Sequence, residues 1–301
     1  MSKIRVLYYG SCWPTNIGNS FVNLGAIYSL KAALNDRGKV FHFGGMSSYL
    51  FSVNARPKNT LPVGDMIKCD YVVIAGMAMC EDNFQTQKVV LQQFIKNGAR
   101  IIIAGGGASR YDDDEVKKVR EWMKKIPIYG FISRDEYSYK NYADHATHSY
   151  NGIDSALFIS DYFNPPEVSI PDFVITNFDH IPEPRIKTNV RLIIRIHHSC
   201  WPTDFRSEYF RYSNTLISDL PSDYLTLYAH TKATYSDRVH ACLVTLAYGN
   251  KAMFFDKSSP RLRMFRRIGA VGIDEQPVAI DMKQLSEEKE SQVKFLRSIL
   301  V

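Results

Sequence analysis

Short apolar runs, set apart by longer amphipathic stretches, constrain the fold of this chain most. Tyr71-Val72-Val73-Ile74-Ala75 and Ile101-Ile102-Ile103-Ala104 show no polar alternation. A strand with one wet face alternates, whereas an unbroken run fits a strand buried on both faces, as in a parallel sheet covered by helices. Strands are expected at 4–9, 39–43, 71–75, 100–104 and 128–133. Helices are expected between them at 20–35, 83–97, 114–125 and 135–142. Alternating strands and helices place the chain in the α/β class.

With 301 residues the chain suits two domains better than one core. The pattern breaks between 160 and 188, where Pro165, Pro166, Pro171, Pro182 and Pro184 cluster. Proline lacks a backbone donor and restricts the residue before it, so regular structure is not expected there. The division expected is 1–165 and 166–301, two Rossmann-like domains facing a cleft, with a closing helix at 282–300 that packs back on the first. The second half restarts with a strand at 190–196, a helix near 206–218 and strands at 224–228 and 233–235. A helix at 237–248 and a strand at 251–255 follow.

The composition has an ordinary globular balance: 45% hydrophobic, 23% charged, net charge +6. No stretch reaches the roughly 18 apolar residues of a membrane helix. The opening Met-Ser-Lys-Ile-Arg-Val-Leu reads as a first strand and not a signal peptide. Five widely spaced cysteines form no C-x-x-C pair, which fits a reducing compartment. The expected location is the cytoplasm, including the inner face of the membrane. The modest positive charge suits an anionic small substrate or a membrane-proximal polymer, and the basic residues form no long run of the kind that binds nucleic acid. Arg261, Arg263, Arg266 and Arg267 make one basic helical segment, read as a solvated face or a guide for an acidic acceptor.

Four local features carry chemistry. In Ser236-Asp237-Arg238-Val239-His240 a strand passes into a helix, with Ser236 or Asp237 as N-cap and Arg238 and His240 in the first turn. A cation there opposes the helix dipole unless an anion shares the N-terminus. The residues leave two readings open: a phosphate or carboxylate site, or an arginine paired to a nearby carboxylate. Ile132-Ser133-Arg134-Asp135 repeats the strand-to-helix arginine, again either a ligand clamp or a local ion pair. Gly105, Gly106 and Gly107 follow a buried strand and let backbone approach a ligand. Asn16-Ile17-Gly18-Asn19-Ser20 follows the first strand, with Asn19 or Ser20 capping a helix. Ser11-Cys12-Trp13-Pro14-Thr15 recurs as Ser199-Cys200-Trp201-Pro202-Thr203, each copy after an apolar strand. His197, His198, Cys200 and Cys12 lack the spacing of a tetrahedral metal set, so no metal is expected.

In this order the features resemble the polysaccharide pyruvyl transferases: the 16–20 loop with Gly25-Ala26, the glycine run, Ser133-Arg134-Asp135-Glu136-Tyr137-Ser138, Gly152-Ile153-Asp154-Ser155-Ala156, and Ser236-Asp237-Arg238-Val239-His240 leading to Leu246-Ala247-Tyr248-Gly249-Asn250-Lys251. The resemblance covers about residues 5 to 257, and the Arg-x-His segment is its most specific part. It implies a fold similar to GT-B glycosyltransferases. It also implies transfer of a pyruvyl group from phosphoenolpyruvate to a sugar of a cell-surface polysaccharide or its lipid-linked precursor, giving a ketal and phosphate with no cofactor. On that resemblance Arg238, His240 and Arg134 are the catalytic candidates. Asn16, Gly18, Asn19, Gly105, Gly106, Gly107, Arg195 and Ser236 are the binding candidates. Where the family often carries Gly-Asp, this chain has Gly18-Asn19. The alternatives are a glycosyltransferase using a nucleotide sugar and a non-catalytic relative.

Overall fold

The computed structural model describes residues 3–10, 13, 16–44, 66–199 and 211–301. In chain order its elements are β1 (Ile4–Gly10), α1 (Gly18–Leu34), β2 (Gly38–Gly44), β3 (Tyr71–Ala75), α2 (Glu81–Lys96), β4 (Arg100–Gly106), α3 (Asp113–Met123), β5 (Ile128–Ser133), α4 (Glu136–Tyr142), β6 (Ala146–Asn151), α5 (Ile159–Tyr162), β7 (Phe173–Asn177), β8 (Leu192–Ile196), β9 (Thr215–Leu216), α6 (Pro221–His230), β10 (Ala233–Ser236), α7 (Val239–Ala247), β11 (Lys251–Phe254), α8 (Leu262–Arg267) and α9 (Met282–Ile299). They fall into two units. Unit 1 comprises Met1–Cys12, Gly25–Ser155 and Glu287–Val301; unit 2 comprises Trp13–Leu24 and Ala156–Ser286.

Unit 1 is a parallel sheet of order β2-β1-β3-β4-β5-β6. Successive strand side chains point to opposite faces, and β1 shows the result. Val6 and Tyr8 join one core with Ala26, Leu30 and Leu34 of α1 and Leu296, Ile299 and Leu300 at the chain's end. Leu7 and Tyr9 join the other, with Phe84 and Phe94 of α2 and Val119 of α3. The apolar runs are therefore buried on both faces: Ile101, Ile102 and Ile103 are each 0% exposed. Each such side chain contributes about 1.5–3 kcal/mol relative to exposure.

Unit 2 is a parallel sheet of order β11-β10-β7-β8-β9. The chain lays β8 and β9 on one side of β7, then crosses to lay β10 and β11 on the other. The order reverses between β7 and β10, and ligands of open α/β sheets bind outside the strand carboxyl ends at such a point. Helix α7 buries nearly its whole length, and its Thr245 hydroxyl bonds the Thr234 hydroxyl of β10 at 2.7 Å.

Several expectations are corrected here. The 160–188 stretch is not without regular structure: it contains β7, every residue of which is buried. The prolines flank this strand without interrupting it, so no ladder donor is lost. Residues 224–228 form part of a helix, not a strand. Tyr224, Leu225 and Tyr228 are buried at helical spacing, behind Pro221 in the first turn. Of the helix expected at 206–218, residues 211–218 contain the short strand β9, and 206–210 lie outside the described residues. Strand β6 was not expected; its Ala-Thr-His-Ser-Tyr-Asn is polar and lies at the sheet edge.

Candidate active site

The carboxyl ends of β7, β8 and β10 place three loops of unit 2 together. From β7 come Asn177 and Asp179, from β8 His197 and His198, and from β10 Ser236, Asp237 and Arg238. Asp179 is the hub. Its carboxylate accepts from His197 Nδ1 at 3.0 Å and from the His198 backbone N–H at 3.0 Å, and Arg238 Nε lies 3.5 Å away. Burial works to raise the Asp179 pKa, but His197, Arg238 and His198 outweigh it and hold the carboxyl below its ordinary value.

The helix start differs from expectation in a way that shapes the site. Helix α7 begins at Val239, so Arg238 itself occupies the N-cap position, and neither Ser236 nor Asp237 caps it. Asp237 instead accepts from the backbone N–H groups of Asp179 (3.1 Å), His180 (2.7 Å) and Ile181 (2.9 Å), tying the β7 loop to β10. Ser236 Oγ accepts from the Arg238 N–H at 2.8 Å and donates to the Asn177 carbonyl at 2.8 Å. The α7 N-terminus thus has no side-chain cap, a polarity that favours an anion.

Arg238 is 12% exposed at its side chain and makes two contacts, to Asp179 and to His180 Nε2 at 2.6 Å. A guanidinium only donates, so His180 Nε2 is the acceptor. Both open readings are thus partly present: the arginine has a carboxylate partner, yet its Nη2 makes no hydrogen bond among the described residues.

The 16–20 loop belongs to the same cluster. Ile17 N–H donates to the His198 carbonyl at 3.0 Å, and Asn16 Oδ1 accepts from Gly18 N–H at 3.1 Å. Helix α1 starts at Gly18, so Asn19 and Ser20 lie inside its first turn and do not cap it, and Ser20 Oγ donates back to the Ile17 carbonyl. A Cβ on Gly18 would stand 3.1 Å from Asn16 Oδ1, 3.2 Å from His240 Nδ1 and 3.3 Å from His198 Nδ1. Glycine is what allows the two imidazoles and the amide to crowd this turn.

His198 is 1% exposed. Its Nε2 lies 2.6 Å from the Tyr228 hydroxyl, and Phe21, Tyr224 and Tyr228 meet its ring edge to face. Burial first, then Arg238, pushes its pKa well below the usual histidine value. Its Nδ1 has no partner among the described residues.

The remaining candidates are held within their own units. Arg195 is clamped by Glu183 through two bonds of 3.0 and 3.1 Å and lies over the Tyr212 ring. Arg134, in unit 1, is 2% exposed and faces Asp154 at 3.4 Å. Burial opposes its charge, but Tyr111, Asp154 and Asp135 outweigh that and raise its pKa. A Cβ on Gly107 would run into the Arg134 side chain, one on Gly106 into Ile103, and one on Gly105, at φ +66°, into Ser155. Each glycine of the run thus answers to packing inside unit 1. Of the repeated pentapeptide, only Trp13 and Ser199 lie among the described residues, and Cys12 and Cys200 do not.

Sequence reasoning missed Asp179, His180 and the tyrosines of α6. Asp179 lies in the proline-rich 160–188 stretch where no regular structure is expected, and the Tyr224–Tyr228 alternation conceals a helical face. The apolar run Phe173-Val174-Ile175-Thr176 was the available signal for β7.

A family model described as polysaccharide pyruvyl transferase matches residues 13–258. No curated protein sequence matches the chain. Among solved structures, an S. aureus MnaA–UDP structure matches with TM-score 0.57 at 10% identity, covering 98% of this chain and 90% of that one. A UDP-N-acetylglucosamine 2-epimerase from Rickettsia bellii matches with TM-score 0.54 at 12% identity, covering 99% and 97%. The UDP-GlcNAc 2-epimerase from Neisseria meningitidis, bound to UDP-GlcNAc, matches with TM-score 0.52 at 10% identity, covering 97% and 94%. At such identity the likeness is one of fold, and the fold is GT-B-like, with a mostly parallel sheet in each unit.

Proposed function

The chain belongs to the polysaccharide pyruvyl transferase family, and from that premise we propose that unit 2 binds phosphoenolpyruvate at the start of α7 and passes its pyruvyl group to a glycan. The carrying observation is the meeting of Arg238, His240 and the 16–20 loop at an uncapped helix N-terminus. Phosphoenolpyruvate bears a carboxylate and a phosphate, and a guanidinium fork at a helix N-terminus suits either. Arg238 holds one acidic group, oriented by Asp179. His240 donates a proton to the methylene carbon while a sugar hydroxyl attacks the neighbouring carbon. Asn16, Gly18, Asn19 and Ser236 shape this pocket. Arg134, Gly105, Gly106 and Gly107 support the reaction by fixing the loops at the carboxyl ends of β4 and β5, and Arg195 fixes the end of β8. The acceptor is a sugar of a polysaccharide or of its lipid-linked precursor, met in the cytoplasm. No helix among the described residues is long and apolar enough to cross a membrane.

The test pairs binding with turnover. Phosphoenolpyruvate is expected to raise the melting temperature, since a ligand of the native state stabilises it. The protein is expected to release phosphate from phosphoenolpyruvate when a crude glycan acceptor is added, and His240→Ala to abolish that release. Stabilisation by UDP-sugars with none by phosphoenolpyruvate would transfer the assignment to a nucleotide-sugar enzyme.

A further inference from the structure

The proposed transfer needs two proton movements, one off a sugar hydroxyl and one onto carbon. His240 provides for one. The 16–20 loop reads Asn-Ile-Gly-Asn-Ser and offers no base. The adjacent strands β7 and β8, however, end on a buried carboxylate–imidazole pair. His197 is 8% exposed and Asp179 6% exposed, and His197 Nδ1 stands 3.0 Å from Asp179 Oδ1. Asp179 is kept an acceptor by the His198 N–H and by Arg238. A carboxylate in that state cannot donate, so the proton between the two sits on His197 Nδ1, and in the neutral ring Nε2 is then the basic nitrogen. The backbone is fixed as well: the Tyr224 hydroxyl donates to the His197 carbonyl at 2.8 Å, and Asn177 Nδ2 donates to the Ile196 carbonyl at 2.8 Å. A carboxylate that sets tautomer and ring orientation is the arrangement that makes an imidazole an effective base.

Resting on the phosphoenolpyruvate reading, we propose that His197 is a second proton-transfer group of this site, with Asp179 as its positioning residue. The first hydroxyl gives its proton to His197 Nε2 as its oxygen bonds to C2 of phosphoenolpyruvate. The C2–C3 π pair takes a proton from protonated His240, making the methyl group. The second hydroxyl then bonds C2 as the C2–O bond to phosphate breaks, and phosphate leaves with that electron pair. The second hydroxyl's proton returns to His240, and His197 passes its proton to the departing phosphate. Both histidines end as they began.

The test uses the full chain with three readouts. In His197→Gly, stabilisation by phosphoenolpyruvate is expected to persist while phosphate release falls by about 100-fold or more, and added imidazole is expected to restore part of it. In Asp179→Asn, the nitrogen NMR signature of an Nδ1-protonated His197 is expected to vanish along with turnover. If the glycine variant does not fold, His197→Gln replaces it with the same expectation of retained binding and lost turnover. Unchanged turnover in a folded His197 variant overturns the proposal, as does loss of phosphoenolpyruvate binding in step with turnover. A wild-type protein indifferent to phosphoenolpyruvate overturns the underlying reading as well, which separates the two failures.

Discussion

Burial leaves the His198 imidazole little choice of charge. Enclosed by Phe21, Tyr224 and Tyr228 and facing Arg238, it resists protonation in the folded state, whereas an unfolded chain would protonate it below about pH 6.5. A folded-state pKa lowered in this way means that the unfolded state binds the extra proton first, so stability falls as pH drops below about 6.5. Asp179 behaves differently. Its depressed pKa keeps its contribution intact until the pH falls through the folded value, below the usual carboxylate range. Melting temperature against pH should therefore decline between neutrality and pH 5 in the wild type. It should decline less in His198→Gln, and identical slopes would remove His198 as the cause.

Among elements, β7 matters most to the site, and its loop depends on one side chain. Asp237 satisfies three successive N–H groups after the strand. Leaving a buried donor unpaired costs about 1–3 kcal/mol, and of the three only the Asp179 N–H lies in a buried pairing, those of His180 and Ile181 being partly open to solvent. Chemical denaturation of Asp237→Ala should show a loss of about 1–3 kcal/mol, and a loss within error would mean that solvent also reaches the Asp179 N–H. The same strand marks the limit of what the sequence reveals. The Ile101-Ile102-Ile103 run announced a doubly buried strand because nothing polar interrupts it. Phe173-Val174-Ile175-Thr176 carries a similar signal, but it is short and framed by prolines, and local chain stiffness outweighed it. Arg238 and His240 were legible because an unbroken helical segment follows them. Asp179 was not, since its importance comes from lying on the strand beside β10, an adjacency that only the sheet order creates. The role of Gly107, filled by the Arg134 side chain, was hidden for the same reason.

At the scale of the whole molecule, the two units are interleaved along the chain. Unit 1 takes its final helical residues, Glu287–Val301, from beyond unit 2, and unit 2 takes Trp13–Leu24 from before most of unit 1. No single cut separates them. A fragment of residues 1–155 would lack Leu296, Ile299 and Leu300, which fill the core lined by Val6, Tyr8 and Tyr71. Buried leucine or isoleucine lost to a void costs about 2–5 kcal/mol, against a total stability of about 5–15 kcal/mol for a typical domain. Calorimetry of that fragment should show no cooperative transition, and a sharp one would mean that the end of α9 is dispensable.

The placement of α9 also bears on synthesis at the ribosome. The strands of unit 1 emerge early, yet the face that receives Leu296, Ile299 and Leu300 stays uncovered until all of unit 2 has been translated. Throughout elongation, a nascent chain of this design presents an apolar surface to which a holding chaperone would bind.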